Sequence, residues 1–181
     1  MDTLTHCLPI LERTPHVLNG LLSNLSSEWT HANYGEGTWS AYEVLGHLIA
    51  AEQDDWMPRA RRILEHGTSI PFEPFAHQST ISPSGGPPLG SLLEKFRLLR
   101  EENLRALQSL SLIPADLDRR GLHPALGEVT LRQLLTTWTV HDLHHLRQIG
   151  LAMAWQARDE VGPWREYLNT LHRPRLMKGA A

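Results

Sequence analysis

Apolar residues recur at three- and four-residue spacing through almost the whole chain, and no stretch shows a convincing strand-like alternation of apolar and polar residues. That pattern restricts the chain to amphipathic helices. Each must bury a stripe against another helix, so the expected fold is an all-α, antiparallel four-helix bundle with a short extra C-terminal helix. Thr14-Pro15 reads as an N-cap followed by proline at the first helical position. It opens a helix over 15–25 with Leu18, Leu21, Leu22 and Leu25 on one side, after a separate helical piece over 4–13. Ser40-Ala41-Tyr42-Glu43 is a capping box, in which Ser and Glu satisfy each other's orphan backbone donors. The helix it opens is expected over 41–65, with Val44, Leu48, Ala51 and Asp55 as its stripe and Gly67 as its stop.

The stretch 68–90 is rich in Ser, Pro and Gly and reads as a loop long enough to serve as a lid. Helix resumes over 91–110, with Leu92, Phe96, Leu99, Asn103, Leu107 and Leu110 in register. A connector over 114–129 has a short turn at 116–118. Thr130-Leu131-Arg132-Gln133 is a second capping box and opens a helix over 131–156. Gly162-Pro163 breaks the chain before a last short helix over 163–171, and 173–181 reads as a frayed end.

With 181 residues, 41% hydrophobic and 20% charged, the chain suits one domain over 1–181 with its core over about 10–172. A net charge of −3 gives no basic footprint for nucleic acid, and no segment approaches the apolar length of a membrane span. Residues 1–12 lack the pattern of a signal peptide, so a cytoplasmic location is expected. The lone cysteine, Cys7, rules out an internal disulfide framework and a thiolate-rich metal cage, and no nearby His marks it as a nucleophile.

Histidine is the unusual entry, at eleven residues. His141-Asp142-Leu143-His144-His145 lies inside the fourth long helix. Residues four apart sit about 40° apart and one turn up, so His141 and His145 point the same way and can reach one ion. His144 lies about 60° off on the other flank and suits that ion less well. The stripe holding the pair includes Leu134, Trp138, Ile149 and Ala152, so both imidazoles face inwards. There they need partners, either a metal or hydrogen bonds from neighbouring side chains. His47 sits among apolar residues of the second long helix and is the candidate third ligand. Three nitrogen ligands with an open position make a catalytic type of site.

These residues carry a family likeness. The blocks Gly37-Thr38-Trp39-Ser40-Ala41, Val44-Leu45-Gly46-His47-Leu48 with Glu52, Gly121-Leu122-His123-Pro124, and Leu126-Gly127 with Val129-Thr130-Leu131 come first. Trp138, the 141–145 run, Gln148-Ile149 and Val161-Gly162-Pro163-Trp164 complete them. Together they resemble the DinB/YfiT-like superfamily of metal-dependent enzymes. The resemblance implies a four-helix bundle, a divalent metal (nickel or zinc) on His47, His141 and His145, and a homodimer. It also implies a small-molecule substrate and, as in characterised relatives, transfer or isomerisation that uses a low-molecular-weight thiol such as bacillithiol or mycothiol. Gly150 departs from the longer polar residue that related sequences often carry there.

Among the neighbours, Gln148 can orient a ligand imidazole or be a surface amide. Asp142, like His144, is a candidate pocket or ligand-orienting residue, with a solvated carboxylate as the favoured reading of Asp142, and Glu52 reads as a partner for Arg147 across the bundle. His123 sits at the pocket mouth or in a solvated loop, while His6, His16, His31, His66, His77 and His172 read as surface residues. Trp39, Trp138 and Trp164 read as packing anchors. The leading function is a metal-dependent thiol S-transferase or hydrolase. The alternatives are a non-catalytic metal-binding bundle and, on the His141-Asp142 pair, an HD-type phosphohydrolase. A zincin reading ranks low, because Asp142 stands where the general-base Glu belongs.

Overall fold

The computed structural model describes residues 3–75, 81–82 and 84–171. His77, His172, the tail 173–181 and part of the 68–90 stretch lie outside the described residues. The helices are α1 (Thr3–Leu22), the single turn α2 (Ser27–Thr30), α3 (Ala41–Asp54), α4 (Trp56–His66), α5 (Leu89–Ser109) and α6 (Leu131–Gln156). α1 and α3 each pack on both α5 and α6, so the order around the bundle is α1, α5, α3, α6. Consecutive bundle helices α1/α3 and α5/α6 therefore stand diagonally, and the chain spans each diagonal with the long connectors 23–40 and 110–130.

Both capping boxes form. Ser40 Oγ accepts from Glu43 N at 3.2 Å while Ser40 N donates to Glu43 Oε2 at 2.9 Å. Thr130 and Gln133 do the same at 3.2 and 2.8 Å. These boxes fix where α3 and α6, the two histidine-bearing helices, begin.

Three boundaries differ from the sequence expectation, two of them through proline. α1 does not restart at Pro15 but runs straight through Pro9 and Pro15. Pro15 has no N–H for the Leu11 carbonyl one turn back. That carbonyl instead accepts from Arg100 Nη1 at 2.9 Å, so the helix survives with its gap filled from α5. The expected helix over 41–65 is broken at Asp55. Pro58 has no N–H for the Asp54 carbonyl, and a new helix starts at Trp56 with Pro58 in its first turn, where no such bond is needed. The C-terminal segment is 3₁₀ rather than α, over Gly162–Tyr167 and Asn169–Leu171, and Trp164 is exposed rather than a packing anchor.

The expected connector 114–129 holds the expected 3₁₀ turn at Asp116–Asp118, but also a two-stranded antiparallel hairpin that the sequence reading lacks. β1 (Arg120–His123) pairs with β2 (Gly127–Thr130), with His123 opposite Gly127. Gly127 takes φ 77°, the left-handed residue that closes a three-residue hairpin. His123 Nδ1 accepts from the Ala125 and Leu126 N–H groups inside the turn. A Cβ at Gly121 would lie 2.7 Å from Ile63 and 2.8 Å from Phe72, so only glycine lets the hairpin seat on α4. Phe72 N donates to Leu122 O at 2.9 Å and ties the 67–88 connector to the hairpin.

The core has two apolar clusters. One gathers Leu11, Met57, Ile63, Leu104, Leu135 and Trp138, the other Leu18, Leu45, Leu48, Phe96 and Ile149. Along each helix a charged or polar residue falls between them. Arg100 is 1% exposed and pairs with Glu52 at 2.8 Å and with Asp142 at 2.6 and 2.9 Å. Asn103 Nδ2 and Trp138 Nε1 donate to Glu52 as well. The guanidinium lies 5.0 Å from the Phe96 ring and 5.2 Å from the Trp138 ring. Burial disfavours its charge, but Glu52 and Asp142 outweigh that and hold it protonated. Two expectations are corrected here. Asp142 is fully buried, not solvated, and Glu52 pairs with Arg100, not Arg147.

Candidate metal centre

His47 lies two turns into α3, and His141 and His145 one turn apart in the middle of α6. The packing of α3 on α6 brings their Nε2 atoms together: His47 to His141 at 3.0 Å and His145 to His141 at 3.1 Å. Their candidate ligand atoms all lie within 4.8 Å of one another. His47 and His145 are buried and His141 is half-buried.

The electrostatics favour ligation. Burial is the largest effect on both α6 imidazoles. With His145, His47, His144 and Arg100 adding to it, His141 is pushed down to about 2. His145 is pushed down to about 3, with His47 adding and a hydrogen bond to Gln148 opposing. Both are therefore neutral at pH 7, the state in which an imidazole binds metal. Gln148 Oε1 lies 2.8 Å from His145 Nδ1 and accepts its proton, which leaves the Nε2 lone pair pointing into the cluster. His141 has no such help. Its Nδ1 is buried without a hydrogen-bond partner among the described residues. Only one proton can sit between its Nε2 and either neighbour, so no tautomer satisfies both of its nitrogens. A divalent ion accepting all three Nε2 lone pairs would relieve that crowding, and an all-imidazole donor set suits a first-row transition metal. The residues thus fit such an ion.

Replacing Gln148 by leucine tests the tautomer argument. Loss of an outer partner of this kind costs roughly 10–100-fold in metal affinity. Gln148→Leu should weaken zinc binding by that factor in a competition titration, with the fold intact by circular dichroism.

A cavity of about 530 Å³ opens beside the imidazoles. Trp39 and Phe75 stand over His47, with ring centroids at 5.0 and 5.8 Å, and the Trp56 ring meets His141 edge-on at 5.0 Å. Phe72, His123, Leu126, Gln133, Thr137 and His144 line the rest, with Asp55 and Arg59 of the α3–α4 break. The connectors thus supply much of the wall, and α3, α4 and α6 the remainder.

The structure separates the named candidates. His47, His141, His145 and Gln148 are brought together. His144 is exposed at the cavity rim, its ring centroid 5.1 Å from that of His145, and His123 lines the wall half-buried. Asp142 turns to Arg100 and not to the imidazoles, so the HD reading lacks its carboxylate at the site. His6, His16 and His66 are exposed, whereas His31 is half-buried against the Tyr42 ring at 4.5 Å. Sequence reasoning missed Arg59, Trp56, Phe72 and Phe75. Asp55 on an otherwise apolar stripe was the one available signal that this end of α3 is special.

A family model described as the DinB superfamily matches residues 10–149. A protein of Oceanobacillus iheyensis named "putative metal-dependent hydrolase" is 23% identical over 140 residues, which cover 77% of this chain and 79% of that protein. One of the same description from Bacillus mycoides is similar to the same extent. The solved structure of YfiT from Bacillus subtilis, titled a "probable metal-dependent hydrolase with an unusual four-helix bundle topology", superposes with a TM-score of 0.71. It covers 86% of both chains at 20% identity.

Proposed function

Because the chain belongs to the DinB superfamily, we propose that it is a metal-dependent enzyme that acts on a small molecule, with His47, His141 and His145 holding one divalent ion. The observation that carries this is the convergence of three imidazole Nε2 atoms, 3.0 and 3.1 Å apart, on a cavity of about 530 Å³. A purely structural site would be closed, whereas this one faces space of substrate size. The ion would supply Lewis acidity and lower the pKa of a bound water or small thiol. The chain's own residues do the rest. Gln148 fixes the ligating tautomer of His145, and Trp39, Trp56 and Phe75 keep bulk water from the imidazoles. The attacking group comes from outside the chain, since Cys7 is buried in the core and does not line the cavity. The reaction class is hydrolysis or transfer to a small thiol.

Elemental analysis after incubation with zinc or nickel should find about one ion per chain. A panel of activated esters, amides and alkyl halides, run with and without a small thiol, should show turnover that chelation abolishes and metal restores. Failure to retain either metal would overturn the reading. Metal retention with no turnover across the panel would make the protein a binding bundle instead.

A further inference from the structure

Among the described residues that line the cavity, Asp55 and Arg59 are the only carboxylate and guanidinium side chains. They sit where α3 breaks into α4, four residues apart, with Arg59 Nε 2.5 Å from Asp55 Oδ1. The Arg59 side chain is 11% exposed, and its guanidinium lies over the Phe72 ring at 5.2 Å. One edge of the guanidinium is thus tied by the carboxylate and its face by the ring, so its plane is fixed. The far edge is under-used. Nη2 reaches only the Glu73 carbonyl, at 3.5 Å, and Nη1 makes no hydrogen bond to any described residue. A mostly covered guanidinium with five donors ordinarily finds partners for them.

We propose that Arg59 is the carboxylate-recognition group of the cavity, which takes a small organic carboxylate with an apolar, ring-containing body. The planar Nη edge matches a carboxylate in bidentate fashion, and holding it in advance reduces the cost of ordering it on binding. Trp39, Trp56, Phe72 and Phe75 give the body of the molecule aromatic walls. Asp55 decides between anions. At 2.5 Å from Nε it already offsets much of the cation, so a monoanion is accepted and a dianionic phosphate meets repulsion.

The inference deepens the metal-dependent reading and names the other end of its substrate. The test is titration calorimetry with trans-cinnamate, trans-cinnamamide and phenyl phosphate, on zinc-loaded and on metal-free protein. Cinnamate should bind the wild type about tenfold tighter than its uncharged amide, in both metal states. Arg59→Gln should bring cinnamate to the affinity of the amide and leave the amide unchanged. The double variant Asp55→Asn/Arg59→Gln, which strands no carboxylate, should do the same. Equal binding of acid and amide by the wild type overturns the inference, as does phenyl phosphate binding as tightly as cinnamate. Discrimination that needs zinc and ignores Arg59→Gln also overturns it, and leaves the metal-dependent reading standing. Discrimination that follows Arg59 in a protein unable to retain metal overturns the metal-dependent reading alone.

Discussion

Replacing His141 by leucine is expected to raise the stability of the metal-free protein and to lower that of the zinc-loaded one. Without metal, the wild type buries a His141 Nδ1 that has no partner among the described residues. An unsatisfied buried polar atom costs about 1–3 kcal/mol, which a leucine of similar size removes. With zinc at a thousand times its dissociation constant, the wild type gains about 4.1 kcal/mol by linkage, more than the leucine recovers, and a variant with two imidazoles gains almost none. For a domain of this length the zinc-induced rise in wild-type Tm is roughly 8–16 °C. Thermal unfolding in chelator and in zinc, for both proteins, reads the reversal directly. A leucine variant destabilised equally in both conditions would mark His141 as a core histidine and nothing more.

The second large effect belongs to Arg100. Its replacement by methionine strands Glu52 and Asp142, which are 2% and 0% exposed. It also leaves the Leu11 carbonyl without a donor, because Pro15 cannot supply one. Breaking a buried ion pair from one side costs about 3–5 kcal/mol. Denaturant unfolding should show a loss of at least that size. Replacing Glu52 and Asp142 by leucine in the same chain should recover much of it, since removing a whole buried charge cluster is often nearly neutral. Recovery should be incomplete, because the Leu11 carbonyl, Asn103 and the Trp138 indole N–H each lose a partner. A single variant as stable as the wild type would show that the layer contributes nothing to the fold.

The histidine triad was legible because each of its members obeys a local rule. The capping boxes set where α3 and α6 begin, and 3.6-residue periodicity then puts His141 beside His145 and both on the buried stripe. Gln148 was legible for the same reason, three residues beyond His145. Asp142, Glu52 and Arg100 were not. Asp142 looks solvated when its own helix is read alone and Glu52 suggests Arg147 as its partner, whereas their pairing with Arg100 exists only because three helices that are not all sequence neighbours meet at one level. A charged residue on an apolar stripe, as Arg100 is between Phe96 and Leu104, is the trace that such a layer leaves. Pro15 misled because its helix-breaking character was weighed without the distant donor that offsets it. The hairpin escaped notice because strands of four residues, one holding Gly121, are too short to show alternation.

The order of the helices has a further consequence for how such a protein can diversify. Diagonal neighbours force long connectors, and those connectors bring Trp39, His123 and Leu126 to the cavity, while the 67–88 connector adds Phe72 and Phe75. The imidazoles and the charge layer share α3 and α6, so turning either helix to retune one would dislocate the other. Change is therefore channelled into the rim. A lineage built on this frame can exchange substrates by rewriting its connectors and leave the reactive centre and its foundations untouched.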